Sequence, residues 1–443
     1  MDLKPLTKAI AFTTLSAAVL APSLAQAAFV EDAKASLTMK NFYINNDNRD
    51  GGVDDKQWGQ GFILNVQSGF TEGTVGFGLD AVAMWGIKLD DSSTSSKKGR
   101  ASSQLFPTKT NGHSTDDFAK LGVTAKARIS QTEARVGTLQ PNLPILKTND
   151  GRLLPQMFNG GQITMNEIEN LSVVAGLLNN AVGRASSNRT GLSVSGSAED
   201  SNKFWFAGAD YKVMPDLTLQ YYYANLEDFY KQNFLGLNHT FNIADNQSFN
   251  TDIRYFSTKA DGNNKSDSKR GNYAIGGYTK NGNGKIDNNT WSLAFTYKLD
   301  KHSIMLGHQR VSKNSDFTQL NQGGLGEGAQ GASVWLHTDR LINNFATAGT
   351  KSSWVDYKYD FAGVGVPGLK AGVSYTKGTN MYLKNTTKGH QWERDIALDY
   401  TIQEGTFKNV TFSARNGTLR GHNGAVKDTD HNRVYVTYTL PLL

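Results

Sequence analysis

FAKLGVTAKARIS, residues 118–130, decides the fold. Ala119, Leu121, Val123, Ala125, Ala127 and Ile129 take every odd position, and Lys120, Thr124, Lys126 and Arg128 sit between them. A strict period of two over thirteen residues is a strand with one apolar and one wet face. Three cations on the wet face require water there. Val75 to Leu89, Leu217 to Tyr223, Trp291 to Leu299 and Arg433 to Leu440 repeat the pattern. Similar segments lie near 58–70, 132–139, 168–178, 203–213, 248–258, 303–311, 351–361, 369–377, 390–402 and 407–419, and the pattern begins by about Ser36. Strands of about ten residues with this alternation mark a transmembrane barrel. About seventeen strands are legible, with 183–195 or 272–280 as the places for one more. Aromatic residues near segment ends, such as Trp85, Tyr211, Trp291 and Tyr375, fit a girdle at the lipid–water boundary.

The N-terminus sets the compartment. Lys4 and Lys8 precede an uncharged apolar run from Ala9 to Leu20, and Ala25-Gln26-Ala27 is a small-x-small cleavage site. Residues 1–27 read as a secretory signal peptide, leaving 28–443 as one outer-membrane domain. No later run is long enough for a membrane-spanning helix, but a closed barrel satisfies its backbone polar groups between strands. The expected location is the outer membrane of a Gram-negative bacterium, with lipid around the barrel. Cysteine is absent, which excludes thiolate metal sites, disulfides and thiol catalysis.

Connections alternate in length. Glu72-Gly73, Met214-Pro215-Asp216 and Asp300-Lys301 are tight, whereas 90–117, 140–166, 259–288 and 312–334 are long. That is the pattern of short periplasmic turns and long external loops. The loop 140–166 carries Leu143, Ile145, Leu146, Leu153, Leu154 and Met157, which a solvent-facing loop has little use for. Folded into the lumen, they pack against the wall and narrow the hole.

A channel needs a hydrated path and fixed charge along it; a low-dielectric wall focuses the field of lumen cations. Alternation places Lys120, Lys126, Arg128, Arg135, Arg254, Arg415 and Arg433 on the wet face. Arg394 shares parity with Ile396, Leu398 and Tyr400 and belongs at the rim. The bland reading of each such arginine is a structural ion pair inside the barrel.

Several stretches resemble the OprD family of substrate-specific porins: QGFILNVQSGFTEGTVGFGLDA (60–81), NDGRLLPQMFNGG (149–161), SSWVDYKYDFAGVGVPGL (352–369), the cluster Trp392-Glu393-Arg394-Asp395, and NRVYVTYTLPLL (432–443). The resemblance implies an all-β, 18-stranded antiparallel barrel with an inward-folded constriction loop, passing carboxylate-bearing small molecules along a column of arginines. It assigns Arg152 to the constriction and Arg184, Arg415, Arg420 and Arg433 to further pore positions. Two departures shorten the column: Ile44-Asn45-Asn46-Asp47 and Ser413 stand where members often have arginine.

The expected function is diffusion-driven uptake of small carboxylates, with aromatic monocarboxylates as the leading class. Basic amino acids or peptides are the alternative within the family. An outer-membrane barrel enzyme is a third reading, but no HExxH or GxSxG appears. No cofactor or metal is expected: Asn281-Gly282-Asn283-Gly284-Lys285-Ile286-Asp287 lacks the acidic first ligand and closing Glu of a calcium loop. The scattered cations give no nucleic-acid stripe. A monomer or weak trimer is expected.

Overall fold

In the computed structural model, eighteen long strands form one closed antiparallel barrel, each paired with its chain neighbour. Residues 29–51, 54–93, 104–322, 331–384 and 386–443 are described, with side chains 386–388 excepted. The proposed signal peptide, 1–27, lies outside them. Closure is direct: the first strand, Lys34–Asn48, pairs in register with the last, Thr429–Pro441. No sheet edge of the wall is left open by that pairing, as a membrane-spanning sheet requires.

The deciding stretch forms the strand Asp117–Ile129. Leu121 and Val123 point outward and are 66% and 47% exposed, whereas Lys120, Thr124 and Lys126 between them are 5%, 6% and 7% exposed. Sequence parity therefore separates outside from inside. Outward aromatic residues, Trp85, Tyr211, Trp291 and Tyr375 among them, stay exposed. Tight turns at one end use positive φ at Ser130, Asn170 and Asp300. Such φ values match the twist of two-residue hairpins. At Gly137, φ is +133° and a Cβ would lie 2.1 Å from the Val123 carbonyl, so only glycine fits.

The segments named from the sequence match sixteen of the eighteen wall strands, one short of the count of about seventeen, and two strands were not legible. Met157–Ile168 belongs to the wall, so the inward loop is shorter than 140–166 and ends before Met157. A register shift at Asn159/Gly160 breaks its alternation. Tyr230–Ala244 is the second. Its inward face carries Tyr230 and Phe234, both fully buried, so both faces read as apolar. Neither 183–195 nor 272–280 holds a wall strand. The first contributes only the two-residue pairings Arg189–Thr190 and Leu192–Ser193, and the second a short 3-10 turn at Gly271–Tyr273.

The inward apolar residues form a core between the wall and the segments folded into the lumen. Leu153 and Leu154 are buried with Phe106, Phe118, Phe42 and Ile44. Across the lumen, Phe206, Tyr222, Phe234 and Phe256 on the wall pack on Leu320, Val334, Leu336 and Ala346. That second inward segment was not anticipated from the sequence, which placed the end of a polar loop near residue 334. Burial of each such side chain favours docking by roughly 1.5–3 kcal/mol, which holds both segments inside the barrel.

Candidate functional site

The two inward segments meet at a cavity of about 370 Å³ lined by Arg152, Arg184, Arg340, Arg433 and Lys147, with Asp150 and Asp339. The turn bearing Arg152 is fixed from below by Leu153 and Leu154 and from the side by Lys40. The Lys40 ammonium donates to the carbonyls of Asp150 and Arg152. Lys120 is a tether of the same kind, donating to the carbonyls of Pro155 at 2.6 Å and Gly183 at 2.9 Å. It thereby joins the loop of Arg152 to that of Arg184.

The opposite side is held by the wall. Glu393 accepts from the backbone N–H groups of Ile342 at 2.7 Å and Asn343 at 3.0 Å, and Asp395 accepts from Leu341 at 3.3 Å. Three consecutive N–H groups are thus gripped by two wall carboxylates. This fixes the turn carrying Asp339 and Arg340. Arg433 in turn donates to the Leu341 carbonyl at 2.7 Å.

The cations differ in how far they are satisfied. Arg152 donates to the Gln104 amide oxygen at 3.0 and 3.2 Å and to the Gly151 carbonyl. Arg433 meets only the Leu341 carbonyl and His431 among the described residues. The buried Nε of Arg184 has no hydrogen-bond partner among the described residues. None of these three has a carboxylate within ion-pair distance among the described residues, whereas Arg340 pairs with Asp356 at 3.0 Å and lies over Trp354. Burial pulls the Arg184 guanidinium down to about 10, still charged at neutral pH.

The remaining sequence candidates lie elsewhere. Lys126 pairs with Asp80 at 2.7 Å. Arg128 lies over the Phe70 ring and lines a separate cavity of about 750 Å³ towards the short turns, with Arg135, Glu133 and Asp80. Arg254 pairs with Asp252, and Arg415 holds both oxygens of Asp399 at 2.7 and 2.9 Å. These paired arginines take the structural role. Arg420 needs correction. Gly417 and Leu419 face inward against Ile342 and the core, so Arg420 has outward parity, where it pairs with Asp430 at 2.8 Å. It is a rim ion pair, not a lumen position. Arg394, also outward, donates to Asn416 and Thr418.

Arg340, Lys147 and Asp339 were missed. The signal for them was present: Val334, Trp335, Leu336, Leu341, Ile342 and Phe345 are as out of place in a solvated loop as the leucines of 140–156.

Asp339 gives the site a pH dependence. Burial pushes its carboxyl up to about 6, against the pull of Lys147, Arg433, Arg340 and Arg184. Above that pH it is an anion beside the arginines; below it the cavity gains one net positive charge. Anion-over-cation permeability should therefore rise severalfold between pH 7 and pH 5, as read from reversal potentials. Asp339→Asn should show the higher ratio at both pH values. A pH step that survives in the variant would assign the titration to another group.

Comparison with known proteins agrees with this architecture. A family model described as outer membrane porin, OprD family, matches residues 27–442. Porin-like protein GalP of Pseudomonas putida is 34% identical, covering 94% of this chain and 93% of that protein. The crystal structure of Pseudomonas aeruginosa OccK8 (OprE) superposes with a TM-score of 0.85 at 46% identity, covering 94% of this chain and all of that one. That of Pseudomonas aeruginosa OpdK with vanillate does so with a TM-score of 0.80 at 32% identity, covering 93% and 100%.

Proposed function

The chain belongs to the OprD family of outer-membrane porins of Gram-negative bacteria, and from that premise we propose that the cavity between the two inward segments is the eyelet of the channel and that small carboxylate-bearing solutes are drawn through it by Arg152, Arg184 and Arg433. The chain is a channel, not an enzyme. The observation that carries the substrate class is the contrast in pairing. Lys126, Arg254, Arg415 and Arg420 all have carboxylate partners, while the three eyelet arginines have none among the described residues. A buried guanidinium without an anion lacks its best partner, and a carboxylate supplies two oxygens in the matching plane.

The solved structure of Pseudomonas aeruginosa OpdK holds vanillate, an aromatic carboxylate, which supports the same class. Asp150 and Asp339 on the cavity favour a second reading, a solute with an ammonium group beside its carboxylate.

The test is uptake into proteoliposomes of an aromatic carboxylate against the matching neutral alcohol. The carboxylate should pass faster at low salt. Its advantage should shrink as salt rises, because the screening length falls from about 10 Å at 0.1 M to about 3 Å at 1 M. Equal rates at every salt concentration would sink the carboxylate assignment.

A further inference from the structure

The outer wall carries one cluster of cations that the channel does not use. Arg310 and Lys351 lie at the long-loop ends of the adjacent strands His302–Val311 and Lys351–Asp360, and Lys377 lies beside them within the next strand, Leu369–Leu383, opposite Ser353. Their parity is outward. Leu306, Val355 and Tyr375, two or four residues along on each strand, are exposed, while Gln309, Ser352 and Thr376 beside them are buried. All three cations are themselves exposed.

Arg310 and Lys351 stand directly opposite each other in the ladder, and Lys377 is diagonal to Lys351. Like charges directly opposite destabilise a sheet, and diagonal neighbours at about 7–8 Å are within reach of long side chains. Among the described residues, no carboxylate is within ion-pair distance of any of the three. Three other cations near the long-loop end are each neutralised by a carboxylate. Lys203 pairs with Glu227, Lys231 with Asp261 and Lys259 with Asp287. What sets Arg310, Lys351 and Lys377 apart is that they adjoin one another on neighbouring strands with no carboxylate among them.

Its height on the barrel says what covers it. Trp291 faces Arg310 across one ladder, and Trp392 faces Lys377 across another, stacked on Tyr375 at 5.8 Å. Outward tryptophan and tyrosine mark the level of the lipid headgroups. The long-loop end is the external end. An external headgroup that brings several fixed negative charges to this height is the phosphorylated sugar of an outer-leaflet glycolipid.

We propose that Arg310, Lys351 and Lys377 form a docking site for the phosphate groups of lipopolysaccharide. Each ammonium or guanidinium donates to a phosphate oxygen, and the acyl chains lie along the apolar wall below. This site is separate from the eyelet and independent of what the channel carries.

The test uses the folded full-length barrel in detergent, titrated with bis-phosphorylated lipid A and followed by native mass spectrometry. Arg310→Gln with Lys351→Gln should weaken binding by about twentyfold, since each surface cation near an anionic membrane contributes on the order of a factor of five. Lys231→Gln with Lys259→Gln, which removes paired cations, should leave binding unchanged. Dephosphorylated lipid A should bind the parent as weakly as lipid A binds the first variant. The single change Lys377→Gln is a second reading of the site and should weaken binding severalfold. Equal loss in both double variants, or undiminished binding of dephosphorylated lipid A, would overturn the proposal. So would full competition by millimolar inorganic phosphate, which would mark a free-anion site.

Discussion

Replacing Arg152, Arg184 and Arg433 together by alanine should lower carboxylate uptake about a hundredfold, while small-ion conductance holds steady or rises. The three guanidiniums line one cavity and have no carboxylate partner among the described residues. In a hydrated constriction, with an effective dielectric between that of water and about 20, each contributes roughly 1 kcal/mol to an anion several ångströms away. Three such contributions correspond to about two powers of ten. The hole also widens, so inorganic ions pass at least as easily.

The single change Arg152→Lys separates charge from geometry. It keeps the cation but loses the planar fork, and should recover only part of the uptake that Arg152→Ala loses. Arg415→Ala is the internal control. Its guanidinium is already held by Asp399, so uptake should change less than twofold, as a paired residue off the eyelet would give. If the triple variant inserts normally and transports carboxylate like the parent, the eyelet arginines do not guide the solute.

The wall was legible because lipid and lumen impose opposite demands on alternate residues, and Ala119–Ile129 obeys this throughout. Legibility failed where the inside of the barrel is itself apolar. Tyr230–Ala244 presents Tyr230 and Phe234 to a core formed with the inner segments, so the period of two vanishes. The site divided similarly. Parity finds which cations face inward, and does so for Lys120, Lys126 and Arg415. It cannot tell a free arginine from a paired one, because the partner comes from a neighbouring strand: Asp80 for Lys126, Asp399 for Arg415. Arg340 and Asp339 lie on a non-repeating turn, where no period exists to read.

Glu393→Ala should release the far side of the eyelet while leaving the barrel closed. Glu393 is 1% exposed, and its two oxygens hold the N–H groups of Ile342 and Asn343. Truncation orphans both donors, at about 1–3 kcal/mol each, and so costs the docked turn roughly 2–6 kcal/mol. That turn carries Asp339, Arg340 and the Leu341 carbonyl that positions Arg433. Single-channel conductance should therefore rise and become noisier, and the preference for carboxylate over neutral solute should fall. Glu393→Gln keeps one acceptor oxygen and should fall between the parent and the alanine variant. The wall pairing of Thr386–Thr401 with its neighbours is backbone to backbone, so thermal unfolding of the barrel should shift little. Unchanged conductance and selectivity in a folded Glu393→Ala channel would mean that the apolar contacts of Leu336 and Ala346 hold the turn by themselves. The carboxylate clamp would then have no part in setting the eyelet.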